Sequence, residues 1–148
     1  MNPEEDGITH INIYSNGKTL LGRLLSNFAK LPFKHPYGDF TSIEGFWYWL
    51  SVDPENPRRE ELRKLWGWEA KKLGRELRGK DWVEDFWFKK HILFALQIKS
   101  ENPLITKLLS ENLLPFEHYY VYNDKVIEPK EGKWILDFWN SKTQFTLK

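Results

Sequence analysis

Over residues 9–14 apolar and polar positions alternate, and the pattern predicts a half-buried strand closed by the turn residues Ser15-Asn16-Gly17. Leu20, Leu21, Leu24 and Leu25 follow as an apolar group, and the proline-containing stretch 31–39 predicts a loop or a short edge strand. Ile43, Phe46, Trp47 and Leu50 then recur at i, i+3, i+4 and i+7, the period of a short helix over residues 41–50. Asn56-Pro57 supplies a cap and a proline at the first helical position, predicting a helix over 58–77 with Gly67 and Gly74 as weak points or close-packing sites. Asp81-Trp82-Val83-Glu84 is an acidic variant of the capping box and predicts a helix from there to about Ser100. Asn102-Pro103 opens another helix through Leu109, and Asn123-Asp124 predicts a tight hairpin turn between residues 119–121 and 126–127. Residues 134–139 predict a final amphipathic helix. Residues 1–7 read as a flexible N-terminal tail, and residues 8–148, without repeat, low-complexity tract or linker, as a single domain.

Composition narrows the function classes. The 148 residues are enough for a core without staples, and 41% hydrophobic with 29% charged residues is an ordinary globular balance. A formal net charge of +1 gives no field to gather nucleic acid, so such a role needs a local patch or recognition of one exposed nucleotide. Sequence-specific DNA binding is not expected. Cysteine is absent, which removes disulfides, thiol nucleophiles and Cys-ligated zinc. The acidic start MNPEEDG is unlike a signal peptide, and no apolar run approaches the ~20 residues of a membrane span. The expectation is a cytoplasmic protein with no membrane partner. Aromatic residues reach 16%, with eight Trp, and beyond the core their use is as stacking faces.

Candidate chemistry centres on a carboxylate. The four histidines, at 10, 35, 91 and 118, do not fall at metal-ligand spacing, and neither a serine-nucleophile motif nor a phosphate-binding glycine loop is present. The expectation is therefore a metal-independent, cofactor-free site. Glu44 has two readings. In Thr41-Ser42-Ile43-Glu44 it completes a capping box and bonds back to the Thr41 amide. Among Phe40, Phe46, Trp47 and Tyr48 it is equally a desolvated carboxyl with a raised pKa, suited to proton transfer. Trp82 either packs or stacks on a flat heterocycle. Lys71, Lys72, Arg75, Arg78 and Lys80 form a solvated face or a phosphate-holding one, and Ser26 and Asn27 are turn residues or donors to ribose hydroxyls.

These landmarks, in order, are Leu25-Ser26-Asn27-Phe28, Pro32-Phe33, Phe40-Thr41-Ser42-Ile43-Glu44, Ala70-Lys71-Lys72-Leu73-Gly74-Arg75, Asp81-Trp82 and Asn102-Pro103-Leu104. Their combination resembles the NADAR family of NAD- and ADP-ribose-associated proteins, which includes the YbiA-like N-glycosidases. The resemblance implies an α+β domain, predominantly α-helical with a small antiparallel sheet. It also implies hydrolysis of a ribosyl C–N bond, in an ADP-ribosylated guanine base or a phosphoribosylamine of riboflavin synthesis. The partner it implies is thus an ADP-ribosyl or phosphoribosyl small molecule, or ADP-ribosylated nucleic acid. Carried over, Glu44, Trp82 and, by position in the C-terminal element, Asp124 become the catalytic candidates. Ser26, Asn27, Phe28, Gly74, Arg75 and Trp47 become substrate-binding candidates. The chain has Gly45 where the family often has His or Gln, and Ser51 where it often has Lys. The Ser51 difference, together with the lack of a clean match to the family's C-terminal D-x-x-W-G element, motivates an alternative, a module that binds an ADP-ribose-like nucleotide without cleaving it.

Overall fold

The computed structural model describes residues 1–143. In chain order they form β1 (Ile11–Asn12), α1 (Leu20–Leu25), β2 (Phe33–His35), β3 (Gly38–Phe40) and α2 (Ile43–Ser51). A 3-10 segment (Arg59–Lys64) leads to α3 (Gly67–Leu77), α4 (Phe86–Ser100) and α5 (Pro103–Glu111). Then come β4 (Phe116–Glu117), β5 (Tyr120–Tyr122), β6 (Lys125–Ile127) and α6 (Lys133–Asn140). The class is α+β and predominantly helical. The chain divides into two compact units, Met1–Ser26 with the chain from Asn102 on, and Asn27–Glu101 between them. No helix among the described residues is long and apolar enough to cross a membrane.

The first unit is organised by a parallel pairing of β1 with β4, Ile11 opposite Phe116 and Asn12 opposite Glu117. Asn12 clamps the chain further along, its side chain bonding both the amide and the carbonyl of Tyr119 at 3.0 Å. Residues 1–7 carry a 3-10 turn at Pro3–Glu5. Asp6 is buried there because its carboxylate accepts the amides of Asn12 and Lys18 at 2.9 Å each. The hairpin of β5 and β6 forms where Asn123-Asp124 predicts it, with both turn residues in the left-handed region at φ 48 and 64.

The second unit is built around α2. The stretch 31–39 resolves into the antiparallel pair β2 and β3, with Phe33 opposite Phe40. The predicted helix over 58–77 is two pieces. Leu65 and Trp66 are extended and Gly67 sits at φ 58, so the chain breaks where the glycine permits it. The helix expected from Asp81 begins at Phe86, because Asp85, accepting the Phe88 amide at 2.9 Å, is the residue that caps it.

The N-terminus of α2 also shifts. Ser42, not Thr41, is the cap, its hydroxyl oxygen accepting the Gly45 amide at 2.9 Å, while the Thr41 amide bonds to the Arg63 carbonyl. Moving the cap by one residue puts Gly45 at the third helical position and removes Glu44 from the capping box. It also buries the helix nearly all round: Ile43, Glu44, Gly45, Phe46, Tyr48, Trp49 and Ser51 are all inside. Two glycines permit this. A Cβ on Gly45 would stand 2.5 Å from the Leu62 carbonyl oxygen, and one on Gly74 would overlap the Tyr48 ring. Gly45→Ala should therefore destabilise the fold by about 1–3 kcal/mol through overpacking against rigid backbone, despite alanine's better helix propensity. Urea unfolding measures it; an unchanged or raised midpoint would show that the backbone gives way freely.

Candidate active site

Glu44 is 9% exposed. It occupies the first turn of α2, and its amide donates to the Asn27 carbonyl at 2.9 Å. Released from the capping role, its carboxyl sits where burial pushes its pKa from 4.5 to about 7. The charges of Lys71 and Arg75 on α3 oppose that rise without cancelling it. This carboxyl therefore titrates at neutral pH, the condition a general base requires.

Tyr48 lies one turn further along α2, on the face of Glu44. Its ring rests on the bare backbone of Gly74, so the glycine predicted as a close-packing site serves as the seat of a ring. Burial raises the Tyr48 pKa, as does the neighbouring Glu44 charge, whereas Arg75 lowers it by charge and by hydrogen bonding. The guanidinium of Arg78 stands 5.8 Å from the Tyr48 ring and 5.0 Å from that of Trp82. Glu44, Tyr48, Arg75, Arg78 and Trp82 are thus joined by successive short-range interactions.

Trp82 precedes α4 rather than opening it. It meets Phe88 edge-on at 5.0 Å and Trp47 at 6.4 Å, and Trp47 meets Phe88 at 4.6 Å. The Trp82 Nε1 hydrogen is buried without an acceptor among the described residues. Phe28 meets Trp68 edge-on at 5.2 Å, and the Lys71 ammonium lies 5.0 Å from the Trp68 ring.

Of the residues singled out by sequence, Glu44, Trp47, Gly74, Arg75, Trp82, Asn27 and Phe28 all belong to the second unit. Asn27 takes part through its backbone carbonyl. Ser26 and Asp124 belong to the first unit, Ser26 ending α1 and Asp124 turning the β5–β6 hairpin. Among the described residues no group of three or more His, Asp or Glu could hold a metal ion. Neither family models nor curated proteins nor solved structures return a match to this chain. The site therefore rests on its own geometry.

Sequence reasoning missed Tyr48 as a site residue and treated Lys71 and Arg78 only as members of a basic run. The i, i+4 spacing from Glu44 was the available signal for Tyr48. Its partner Gly74 lies on another helix, and that pairing has no mark in local sequence.

The burial of Glu44 has a thermodynamic consequence with a definite sign. Its carboxyl holds a proton up to about pH 7 when folded but only to about 4.5 when unfolded. The folded state therefore binds the extra proton between those values, and stability falls as pH rises through the window. Glu44→Gln should stabilise the protein by up to about 3 kcal/mol at pH 8 and leave it unchanged at pH 4. Urea unfolding at the two pH values checks this, and destabilisation at pH 8 would mean the carboxylate is well solvated.

Proposed function

We propose that the chain is an N-glycosidase that hydrolyses a ribosyl C–N bond in an ADP-ribosyl or phosphoribosyl adduct. The observation that carries this reading is the Glu44 carboxyl, buried, released from capping and titrating near pH 7 beside Lys71 and Arg75. The ordered landmarks that resemble those of the NADAR family suggest the reaction class. An ADP-ribosylated guanine base is the preferred substrate, and the setting proposed is cytoplasmic.

In this scheme the C–N bond loosens first, leaving positive charge on the ribose as an oxocarbenium-like centre. Ionised Glu44 stabilises that charge and takes a proton from the attacking water, whose oxygen bonds to the anomeric carbon. The departing nitrogen keeps the bonding electron pair and gains a proton from solvent, and Glu44 returns to solvent the proton it took from the water. Arg75 and Lys71 meet phosphate, and Trp82 and Trp47 receive the base. Tyr48 holds Arg75 next to the carboxylate.

A second reading has one observation in its favour. Ser51, where the family often carries Lys, is buried, and its hydroxyl donates to the Trp47 carbonyl at 2.7 Å. A site without that cation suits a module that binds an ADP-ribose-like nucleotide and does not cleave it.

One assay separates the two. ADP-ribosylated guanosine, ADP-ribosylated DNA and a ribosylaminopyrimidine phosphate are incubated with the protein and the products are resolved by chromatography. The glycosidase reading expects free base or amine and a drop of about 100-fold or more in Glu44→Gln. Because the ionised form acts, kcat/KM should rise with pH and level off above about 7. Full turnover by Glu44→Gln would remove Glu44 from the mechanism. Saturable binding without product would leave the binding module.

A further inference from the structure

The segment Trp66-Gly67-Trp68 presents two tryptophans to solvent, at 42% and 70% exposure. Single exposed aromatic residues need no explanation, but these belong to a built arrangement. Gly67 turns the chain at φ 58 between them, and its amide donates to the Phe28 carbonyl at 3.1 Å. Phe28 in turn supports the edge of Trp68. Each tryptophan carries its own cation: Lys30 lies 4.5 Å from the Trp66 ring and Lys71 lies 5.0 Å from the Trp68 ring.

The solvent side of α3 continues the pattern. Trp68, Lys72 and Arg75 are exposed at i, i+4 and i+7, one line along the helix roughly 10 Å long. The acidic residues of α3 are Glu69 and Glu76, and Glu76 faces the Arg58 guanidinium at 3.6 Å. The line ends at Arg75, which acts on Glu44.

Ring faces alternating with cations match one partner chemistry, a chain of flat heterocycles joined by phosphates. We propose that Trp66, Trp68 and Phe28, with Lys30, Lys71 and Lys72, form a binding surface for single-stranded nucleic acid. Bases stack on the two tryptophans while the ammonium groups meet the intervening phosphates, without base-edge contacts and so without sequence preference. A duplex hides its base faces and offers only charge. The whole chain, at net +1, has little field to hold it. The patch is the local concentration of positive charge that the overall composition lacks. This inference stands apart from the glycosidase reading, because it concerns unmodified strands and needs no turnover.

The test is fluorescence anisotropy of the full chain with a labelled, unmodified 12-nucleotide single strand of mixed sequence. The same strand as a duplex, adenosine monophosphate and heparin serve as competitors. Expected are saturable binding with quenching of tryptophan emission, affinity that falls with salt, and preference for the single strand over the duplex. Trp68→Ala should weaken binding about tenfold, Trp66→Ala similarly, and Lys72→Gln should flatten the salt dependence. Both tryptophans face solvent, so unchanged thermal unfolding of the variants confirms that they fold. No binding at low salt overturns the proposal. So does binding that Trp68→Ala leaves intact, or that the duplex or heparin matches, which is attraction by charge alone. Equal affinity for adenosine monophosphate also overturns it, in favour of a mononucleotide pocket.

Discussion

The second unit depends on how closely α2 is approached by its neighbours. Gly45 lets the backbone of the 3-10 segment reach the helix, and Gly74 lets α3 come down onto the Tyr48 ring. With no Cβ at either point, α2 loses its solvent face and most of its side chains go inside. A carboxyl carried on such a helix is desolvated whatever its chemistry, and its pKa moves accordingly. The perturbed Glu44 is thus a consequence of packing first and a candidate catalyst second.

That order explains why the cations beside Glu44 leave it titrating near neutrality. Lys71 and Arg75 both favour the charged form, but desolvation dominates. Lys71 has other attractions: its ammonium lies within cation–π distance of Trp68 and Phe28. The aromatic rim therefore does more than wall the site. It also holds a cation whose charge favours the ionised form of Glu44. A buried carboxyl under these conditions is a source of instability at neutral pH, the kind of trade that functional sites make.

The aromatic richness of the chain divides into two uses. Phe33, Phe40, Phe46 and Trp49 form a connected buried cluster, with ring centroids 4.6–6.2 Å apart among the contacting pairs. Trp66 and Trp68 lie outside with lysines against them, while Trp47 and Trp82 are half-buried between the two classes. Composition cannot distinguish these uses, because burial is a property of neighbours from elsewhere in the chain.

The sequence determined those features whose physics is local. Asn102 before Pro103 started α5, Asn123-Asp124 turned a hairpin because both residues tolerate positive φ, and the amphipathic period of residues 134–139 appeared as α6. Local rules also placed Glu44 in a capping box, and there they failed. The Thr41 amide was already taken by the Arg63 carbonyl, so the cap moved to Ser42. Similarly, Gly67 was legible as a weak point, but the break it made in the helix was decided when its amide found the Phe28 carbonyl. The buried state of Glu44, the seat of Tyr48 on Gly74 and the grouping of Trp82 with Arg78 required contacts between segments distant in sequence. Hydrogen-bond competition and close packing are settled only when those segments meet, so the tertiary structure alone decided the site.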